Sequence, residues 1–208
     1  MKILIACEYS GTVRDAFIKL GHDAMSCDLL PTDKPGPHYQ GDVRNVLDDD
    51  WDLMIAHPPC TYMTNSGVTW LHRDPTRWQK LDDAAAFFRL LLSAPIPRIA
   101  IENPIMHKYA KERIEGVNQS QVIQPWMFGH MEQKATCLWL KNLPLLQPTN
   151  NVKAEMMNLP NNERQRLHYL PPSKDRWKLR STTYQGIADA MAAQWGDPSN
   201  VQPLPPLL

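Results

Sequence analysis

The sequence predicts a doubly wound α/β sheet, and three observations lead to that prediction. Short apolar runs alternate with longer segments of helical spacing. One of these runs, Leu53 to Ala56, is apolar throughout, which is typical of a strand buried on both faces of a parallel sheet. Acids, a cysteine and a glycine turn follow where such runs end. Ligands of open α/β sheets bind at the carboxyl ends of the strands, so we expect the site there.

Length and composition limit the class of protein. The chain has 208 residues and no net charge, which favours one domain with a substantial core. No apolar run approaches the roughly 20 residues of a membrane span, and Met1 to Ala6 is too short for a signal peptide. We therefore expect a soluble, cytoplasmic protein. The four cysteines are scattered without a CxxC pair, which favours free thiols over disulfides or a metal site.

The start of the chain predicts a strand, a turn and a helix. The apolar run Lys2 to Cys7 is followed at once by helical spacing over residues 13–20. The turn between them contains Ser10, Gly11 and Thr12. Backbone N–H groups at a helix start have no partner within the helix, so this turn is predicted to suit a carboxylate or phosphate ligand.

Two acids follow at predicted strand ends. Asp28 ends a second apolar segment, twenty residues after Glu8, where dinucleotide-binding folds hold ribose hydroxyls. Leu29 to Gln40 carries three prolines and is predicted to be a loop, after which Asp42 lies at the end of a third strand. Acids at strand ends also commonly cap loops, and this alternative is open for both.

The stretch Trp51 to Gly67 is the central feature of the sequence. Its apolar run stops at Pro58 and Pro59, which stiffen a turn that points Cys60 out of the sheet edge. The alternative for a single cysteine is a small buried hydrophobic residue in a tight loop. Thr61 to Pro75 is a polar loop that is long for a connection, and such loops beside a site often act as lids.

The second half continues the alternation of helix and strand. Arg77 to Leu92 has helical spacing, and the next buried strand ends on Glu102, which is either a site carboxylate or a solvated strand-end charge. Gln119 to Gln124 and Ala135 to Leu140 are predicted to form a late antiparallel pair. Residues 141–172 are rich in proline and asparagine and are predicted to be irregular.

Charge is unevenly distributed along the chain. Acids outnumber bases in residues 1–60, whereas 161–182 is basic. A basic segment either meets a phosphate-bearing partner or is an ordinary solvated surface. Trp177 lies among these bases and either stacks on a nucleobase or is buried against the sheet. The bases of this segment are Arg164, Arg166, Lys174, Arg176, Lys178 and Arg180.

Several short motifs occur in a fixed order: CEYSGT, CD, GDV, HPPC and IENP, with STTYQGIADAMAAQW near the end. Their combination resembles the cytosine-C5 methyltransferase family, in a small phage-type form. The resemblance covers roughly residues 1–140 and returns at the closing motif. It implies a Rossmann-like class I methyltransferase fold over residues 1–208 as a single domain, with a mostly parallel doubly wound sheet and a late antiparallel strand.

The resemblance also implies methyl transfer from S-adenosylmethionine to carbon 5 of cytosine in DNA. Cys60 would attack carbon 6, Glu102 would donate a proton or hydrogen bond near ring nitrogen 3, and Lys134 would replace a family arginine. The cofactor residues so implied are Cys7, Glu8, Ser10, Gly11, Thr12, Asp28, Leu29, Asp42, Val43, His57, Pro58 and Tyr184. The substrate residues so implied are Pro59, Asn103, Thr136, Arg176 and Arg180. Lys134 as an ordinary surface lysine is the alternative for that residue.

Three departures from the family pattern affect these expectations. Tyr9 replaces the first glycine of the opening turn, and the family's Gln-x-Arg-x-Arg motif is reduced to EQKATCLWL. Residues 141–180 form only a short basic insert where DNA-modifying relatives carry a larger target-recognition region. We therefore expect weak sequence preference on DNA. The phage-type resemblance implies that the protein acts in the cytoplasm of a bacterial or phage-infected host cell. Three alternatives are methylation of a free cytidine nucleotide, methyl transfer to an exocyclic amine, and a catalytically silent cofactor- or nucleic-acid-binding protein.

Overall fold

The computed structural model describes residues 1–197, so the last part of the predicted domain, 198–208, lies outside the described residues. The strands of the described part are β1 (Lys2–Ala6), β2 (Asp23–Asp28), β3 (His38–Gln40), β4 (Leu53–Ala56), β5 (Arg98–Pro104), β6 (Gln121–Ile123) and β7 (Thr136–Lys141). They form one sheet in the order β3-β2-β1-β4-β5-β7-β6. Strands β1 to β5 pair in parallel, and β7 runs antiparallel to both β5 and β6. The predicted mostly parallel, doubly wound Rossmann-like sheet with a late antiparallel strand is confirmed.

Helices cover both faces of this sheet. They are α1 (Thr12–Lys19), α2 (Val68–Arg73), α3 (Thr76–Leu92), α4 (Lys108–Arg113), α5 (Lys153–Met157), α6 (Asn161–Arg164), α7 (Arg166–Tyr169), α8 (Arg176–Ser181) and α9 (Gln185–Trp195). Within residues 1–197, none of them is long and apolar enough to cross a membrane.

The core is divided by the sheet into two apolar clusters. Successive side chains of a strand point to opposite faces, so Leu4 packs into one cluster while Ile3 and Ile5 pack into the other. Helix α3 covers the first face through residues such as Phe88, which meets Trp139 of β7 with ring centroids 5.1 Å apart. Helices α1 and α9 cover the second face. Both faces of β1 and β4 are thus buried, which explains their uninterrupted apolar sequences.

Two segments predicted to be loops contain regular structure. Part of the proline-rich segment 29–40 forms β3, which pairs in parallel with the end of β2. The segment 61–75 contains α2 and is anchored by Met63 and Leu71, both buried in the core. The segment is polar in composition, so the sequence did not indicate that Met63 and Leu71 are buried. Whether the segment acts as a lid remains a prediction.

The insert 141–180 is also more regular than predicted. It contains α5 to α8, helices of four to six residues, and the buried side chains of Met156 and Leu167 anchor α5 and α7. A helix this short completes little more than one turn, so it shows almost no hydrophobic periodicity in the sequence. Proline and asparagine composition therefore gave a wrong prediction of irregular structure.

Candidate active site

A cavity of about 140 Å³ opens at the carboxyl edge of the sheet, where β1, β4 and β5 end. The predicted site residues that line it are Cys7, Glu8, Ser10, His57, Pro58, Pro59, Cys60, Glu102, Lys134 and Arg180. Tyr9, Pro104, Ser181 and Thr183 line it as well and were not predicted. Within residues 1–197, no cluster of three or more histidine, cysteine, aspartate or glutamate side chains could hold a metal ion.

The turn that carries Cys60 is fixed on both sides. The N–H of His57 donates to the carbonyl of Ala6 on β1 at 2.9 Å, and the N–H of Met63 donates back to the Cys60 carbonyl at 3.0 Å. Asn103 on β5 is buried, and its Nδ2 donates to the Pro58 carbonyl at 3.2 Å. Asn103, predicted to contact substrate, therefore holds the proline turn against the neighbouring strand.

The surroundings of Cys60 act on its thiol in opposite directions. Burial raises the pKa of Cys60, and the nearby Glu102 carboxylate raises it further. The positive charges of Lys134 and Arg180 work against this increase, but the pKa stays above the ordinary value. Since the thiolate is the nucleophile, Cys60 must lose its proton before it can attack.

Glu102 is paired with His57. Nδ1 of His57 lies 2.9 Å from Oε2 of Glu102, and the side chains are only 10% and 13% exposed. Burial acts to raise the pKa of Glu102, but the hydrogen bond from His57 and the charge of Lys134 lower it overall. Burial acts to lower the pKa of His57, but Glu102 and the charge of Glu8 outweigh it and raise the pKa. The sequence placed His57 with the cofactor residues, and its partnership with Glu102 was missed.

Lys134 reaches the site from the segment before β7. Its Nζ donates to the carbonyl of Arg180 at 2.9 Å, which ties the end of α8 to the cavity. Thr136 is buried next to it, and its hydroxyl donates to the Lys134 carbonyl at 3.3 Å. Tyr184 lies beside Lys134 and donates its hydroxyl to Glu132 at 2.8 Å.

The start of α1 differs from the prediction of free N–H groups. The buried carboxylate of Glu8 accepts from the N–H of Val13 at 2.7 Å and of Arg14 at 3.3 Å. The hydroxyl of Ser10 accepts from the N–H of Thr12 at 3.3 Å and donates to Glu8. The chain therefore caps its own helix, and an anionic ligand would have to compete with Glu8.

Arg14 is a buried structural residue that the sequence analysis missed. Its guanidinium forms an ion pair with Asp15 and donates to Ser26 and to the carbonyls of Lys34 and Pro35. A side chain at Gly11, whose φ is 68°, would approach the Arg14 guanidinium to 2.5 Å. The hydrogen bonds of Arg14 to Lys34 and Pro35 join helix α1 to the loop after β2. In the sequence, only the position of Arg14 close to Gly11 indicated such a role.

The two strand-end acids both cap local turns. Oδ1 of Asp28 accepts from the N–H of Leu30 at 2.9 Å, and the two carboxylate oxygens of Asp42 accept from the backbone and side chain of Arg44. Burial raises the pKa of Asp28, whereas the backbone hydrogen bond from Arg44 lowers the pKa of Asp42. Leu29 is exposed and Val43 is buried. These four residues do not line the cavity, so they lie farther out along the same sheet edge.

Helix α8 packs over the opening turn through Tyr9. The Tyr9 hydroxyl lies 3.0 Å from that of Ser181, and its ring lies 5.4 Å from the ring of Trp177. Lys178 adds an ion pair with Asp33 at 3.1 Å. Trp177 is 48% exposed and packs on Tyr9, so the alternative that it is buried against the sheet is wrong. Arg176, on the same helix, does not line the cavity.

No protein-family model and no curated protein matches this chain. Among solved structures it is similar to an E. coli protein described as a DNA modification methyltransferase encoded within a prophage, with 16% identity, a TM-score of 0.47 and 77% of this chain against 56% of the other covered. It is also similar to the Entamoeba histolytica methyltransferase EhMeth, with 12% identity, a TM-score of 0.45 and 73% of this chain against 57% of the other covered. A third similar structure is the S. pombe Dnmt2 methyltransferase, with 13% identity, a TM-score of 0.44 and 84% of this chain against 61% of the other covered. The chain spans less than two thirds of each of these proteins. Similarity at this level does not transfer an activity.

Proposed function

We propose that the protein transfers a methyl group from S-adenosylmethionine to carbon 5 of cytosine in DNA, through a covalent bond between Cys60 and carbon 6 of the ring. One observation carries the proposal. Cys60, Glu102 and Lys134 are far apart in the sequence and line one cavity at the carboxyl edge of the sheet. A thiol can add to carbon 6 of a pyrimidine ring, a carboxyl group can donate to the ring as charge develops, and a cation favours the thiolate.

Each group has a distinct task in this reaction. Carbon 5 of cytosine is a poor nucleophile, and addition of the Cys60 thiolate to carbon 6 pushes electron density towards it. Negative charge then develops near ring nitrogen 3, where Glu102 is proposed to donate a hydrogen bond. Lys134 and Arg180 favour the thiolate of Cys60 through their charges. After methylation the carbon 5 proton is lost to water, and the electron pair of its C–H bond reforms the ring double bond as the bond between carbon 6 and Cys60 breaks, which restores the thiolate.

The cofactor is proposed to bind along the ends of β1, β2 and β3. S-adenosylmethionine supplies the electrophilic methyl group when bound. Asp28 fits a role on the ribose, because it ends β2 at the carboxyl edge of the sheet and is only partly buried. Asp42 would have to release the Arg44 guanidinium before it could accept from the adenine amino group. Cys7 and Ser10 line the cavity at the methionine end proposed for the ligand.

DNA is the proposed substrate because cations lie next to the cavity. Arg180 lines the cavity, and its helix α8 carries Arg176 and Lys178. The insert 141–180 contains only short helices, which gives the chain little surface with which to read a base sequence. We therefore propose that phosphate contacts dominate binding and that sequence preference is weak.

Covalent trapping tests this function. Duplex DNA with fluorine at carbon 5 of cytosine should form a stable adduct with the wild-type protein and S-adenosylmethionine, because fluorine cannot leave as a proton does. Cys60→Ala should form none. Cys137→Ala is the matched control, since Cys137 is a buried thiol of β7 that does not line the cavity, and it should form the adduct as the wild type does. Adduct formation by Cys60→Ala would contradict the assignment.

Transfer of labelled methyl groups distinguishes the remaining alternatives. Duplex DNA, single-stranded DNA and cytidine monophosphate are incubated separately with labelled S-adenosylmethionine. We expect label in DNA. Label only in the monophosphate would show that the substrate is a free nucleotide. Label in DNA without a fluorocytosine adduct would favour an exocyclic amine as the methyl acceptor. Label in none of the three would contradict methyl transfer to cytosine.

A further inference from the structure

His57 is held against Glu102 in a buried pair. His57 directly precedes the proline turn of Cys60, and Glu102 lies on the neighbouring strand β5. Nδ1 of His57 and Oε2 of Glu102 are 2.9 Å apart. The other ring nitrogen, Nε2, is buried and has no hydrogen-bond partner within residues 1–197. Within residues 1–197, Nδ1 is therefore the ring nitrogen through which His57 is held.

The charges that face His57 favour its protonated form. Glu102 faces it from β5, Glu8 from the turn after β1, and Lys134 from the segment before β7. Two carboxylates oppose one ammonium group, so the pKa of His57 is raised in spite of its burial, while that of Glu102 is lowered. These charges, together with the 2.9 Å contact between Nδ1 and Oε2, favour the proton of the pair on the imidazole.

With the proton on His57, Glu102 is ionised and lacks the hydrogen that its proposed role as a donor requires. An ionised carboxylate only accepts hydrogen bonds, whereas charge developing at ring nitrogen 3 of cytosine has to be met by a donor. Glu102 can become a donor only by taking up a proton. The Nδ1–H of His57 is within hydrogen-bond distance of its carboxylate.

We propose that His57 is a positioning residue that orients Glu102 and supplies its proton. This inference rests on the proposed function. The N–H bond at Nδ1 breaks and an O–H bond forms on Glu102, so an ion pair becomes a neutral imidazole and a neutral carboxyl group. The carboxyl group donates a hydrogen bond to ring nitrogen 3 while the bond between Cys60 and carbon 6 forms. The proton returns to Nδ1 when that bond breaks, so the pair ends each turnover unchanged.

Titration of the free protein by nuclear magnetic resonance tests the shared proton without any substrate. The ring protons of His57 are followed against pH in the wild type and in Glu102→Gln. We expect the midpoint of His57 to move to lower pH in Glu102→Gln, because the carboxylate that stabilises the imidazolium is lost. His22, at the opposite edge of the sheet, should keep its midpoint. An unchanged His57 midpoint would overturn the proposal, whether or not the protein methylates DNA.

The kinetic test separates proton supply from orientation alone. Asparagine in place of His57 keeps an N–H donor near the Nδ1 position but does not titrate. His57→Asn should therefore lower kcat about 10²-fold with little change in KM for DNA. The wild-type kcat should fall as pH rises through the titration of His57, and this fall should be absent in His57→Asn. The matched control, His22→Asn, should retain the wild-type profile.

The outcomes are distinguishable from failure of the proposed function. Wild-type kcat and pH profile in His57→Asn would show that an untitratable donor suffices, and this would overturn proton supply. A different result is that the protein methylates neither DNA nor cytidine monophosphate while its His57 midpoint still falls in Glu102→Gln. That result would support the shared proton between His57 and Glu102 and would contradict the proposed methyl transfer.

Discussion

The carboxylate of Glu8 determines what the opening turn is able to bind. It accepts N–H bonds from the first turn of α1, where an anionic ligand was predicted to bind. A negative charge at this position also interacts favourably with the positive end of the helix dipole. Glu8 lines the cavity and faces His57, so the same carboxylate contributes to stability and to the charge balance of the site.

Substitution of Glu8 should therefore destabilise the protein. We expect Glu8→Ala to lower the free energy of unfolding by about 1–2 kcal/mol, because two N–H groups of α1 lose their acceptor. Glu8→Gln should cost less, since an amide oxygen still accepts one of these bonds. Urea denaturation measures both. The matched control is Glu112→Ala, an exposed residue of α4, and a loss of stability equal to that of the control would contradict the capping role.

At the scale of elements, α8 is held over the opening turn by one aromatic contact more than by charge. The ion pair between Lys178 and Asp33 joins two exposed side chains, and such pairs contribute little. Tyr9, by contrast, is buried, packs on Trp177 and forms a hydrogen bond with Ser181. Tyr9 therefore contributes more than the ion pair to holding α8 over the turn.

Removal of that aromatic contact should loosen α8. We expect faster amide hydrogen exchange over residues 176–181 in Trp177→Ala, while the strands keep their wild-type protection. Hydrogen–deuterium exchange followed by mass spectrometry is the measurement. Trp70→Ala is the control, because Trp70 is a similarly exposed tryptophan on α2. Equal exchange of α8 in both variants would show that Trp177 does not hold the helix in place.

The sequence predicted those elements whose burial leaves a pattern in the chain. Strands β1 and β4 are buried on both faces and read as continuous apolar runs, and α3 is long enough to show its period. Strand β3 has three residues and α6 has four, so neither shows a period, and proline or asparagine composition dominated. Short elements form because of the surface that they pack against. That surface is built by distant parts of the chain, so the local sequence pattern does not predict these elements.

The site was predictable only as far as strand ends determine it. Cys60, Glu102 and Lys134 were selected from motifs, and they line one cavity. Cys60 and Glu102 meet there because parallel strands end at the same edge, and Lys134 meets them because β7 runs antiparallel to β5 and therefore begins at that edge. The contacts between side chains were missed. His57 meets Glu102 across 45 residues, and Tyr9 meets Ser181 across 172. No spacing along the chain records such contacts, because they depend on how strands and helices pack in three dimensions.

At the scale of the whole molecule, the distribution of cations bears on the partner. The segment 161–182 contains six bases, but Arg166 pairs with Glu132 and Lys178 pairs with Asp33. The bases of this segment without an ion pair to any of residues 1–197 are Arg164, Lys174, Arg176 and Arg180. If all four neutralise phosphates, the logarithm of the association constant for duplex DNA should fall with the logarithm of salt concentration with a slope of about −3.6. Fluorescence anisotropy across a salt series measures this slope.

Single variants assign that slope to residues. Arg180→Ala should make the slope shallower by about 0.9, because one phosphate contact and its released counterion are lost. Lys178→Ala is the matched control on the same helix, since its ammonium group already pairs with Asp33 and should change the slope less. A cytidine monophosphate carries one phosphate and should show a far weaker salt dependence than the duplex. Binding of duplex DNA that does not respond to salt would contradict the proposed phosphate contacts, and tight binding of the monophosphate in the same series would then favour the free nucleotide as substrate.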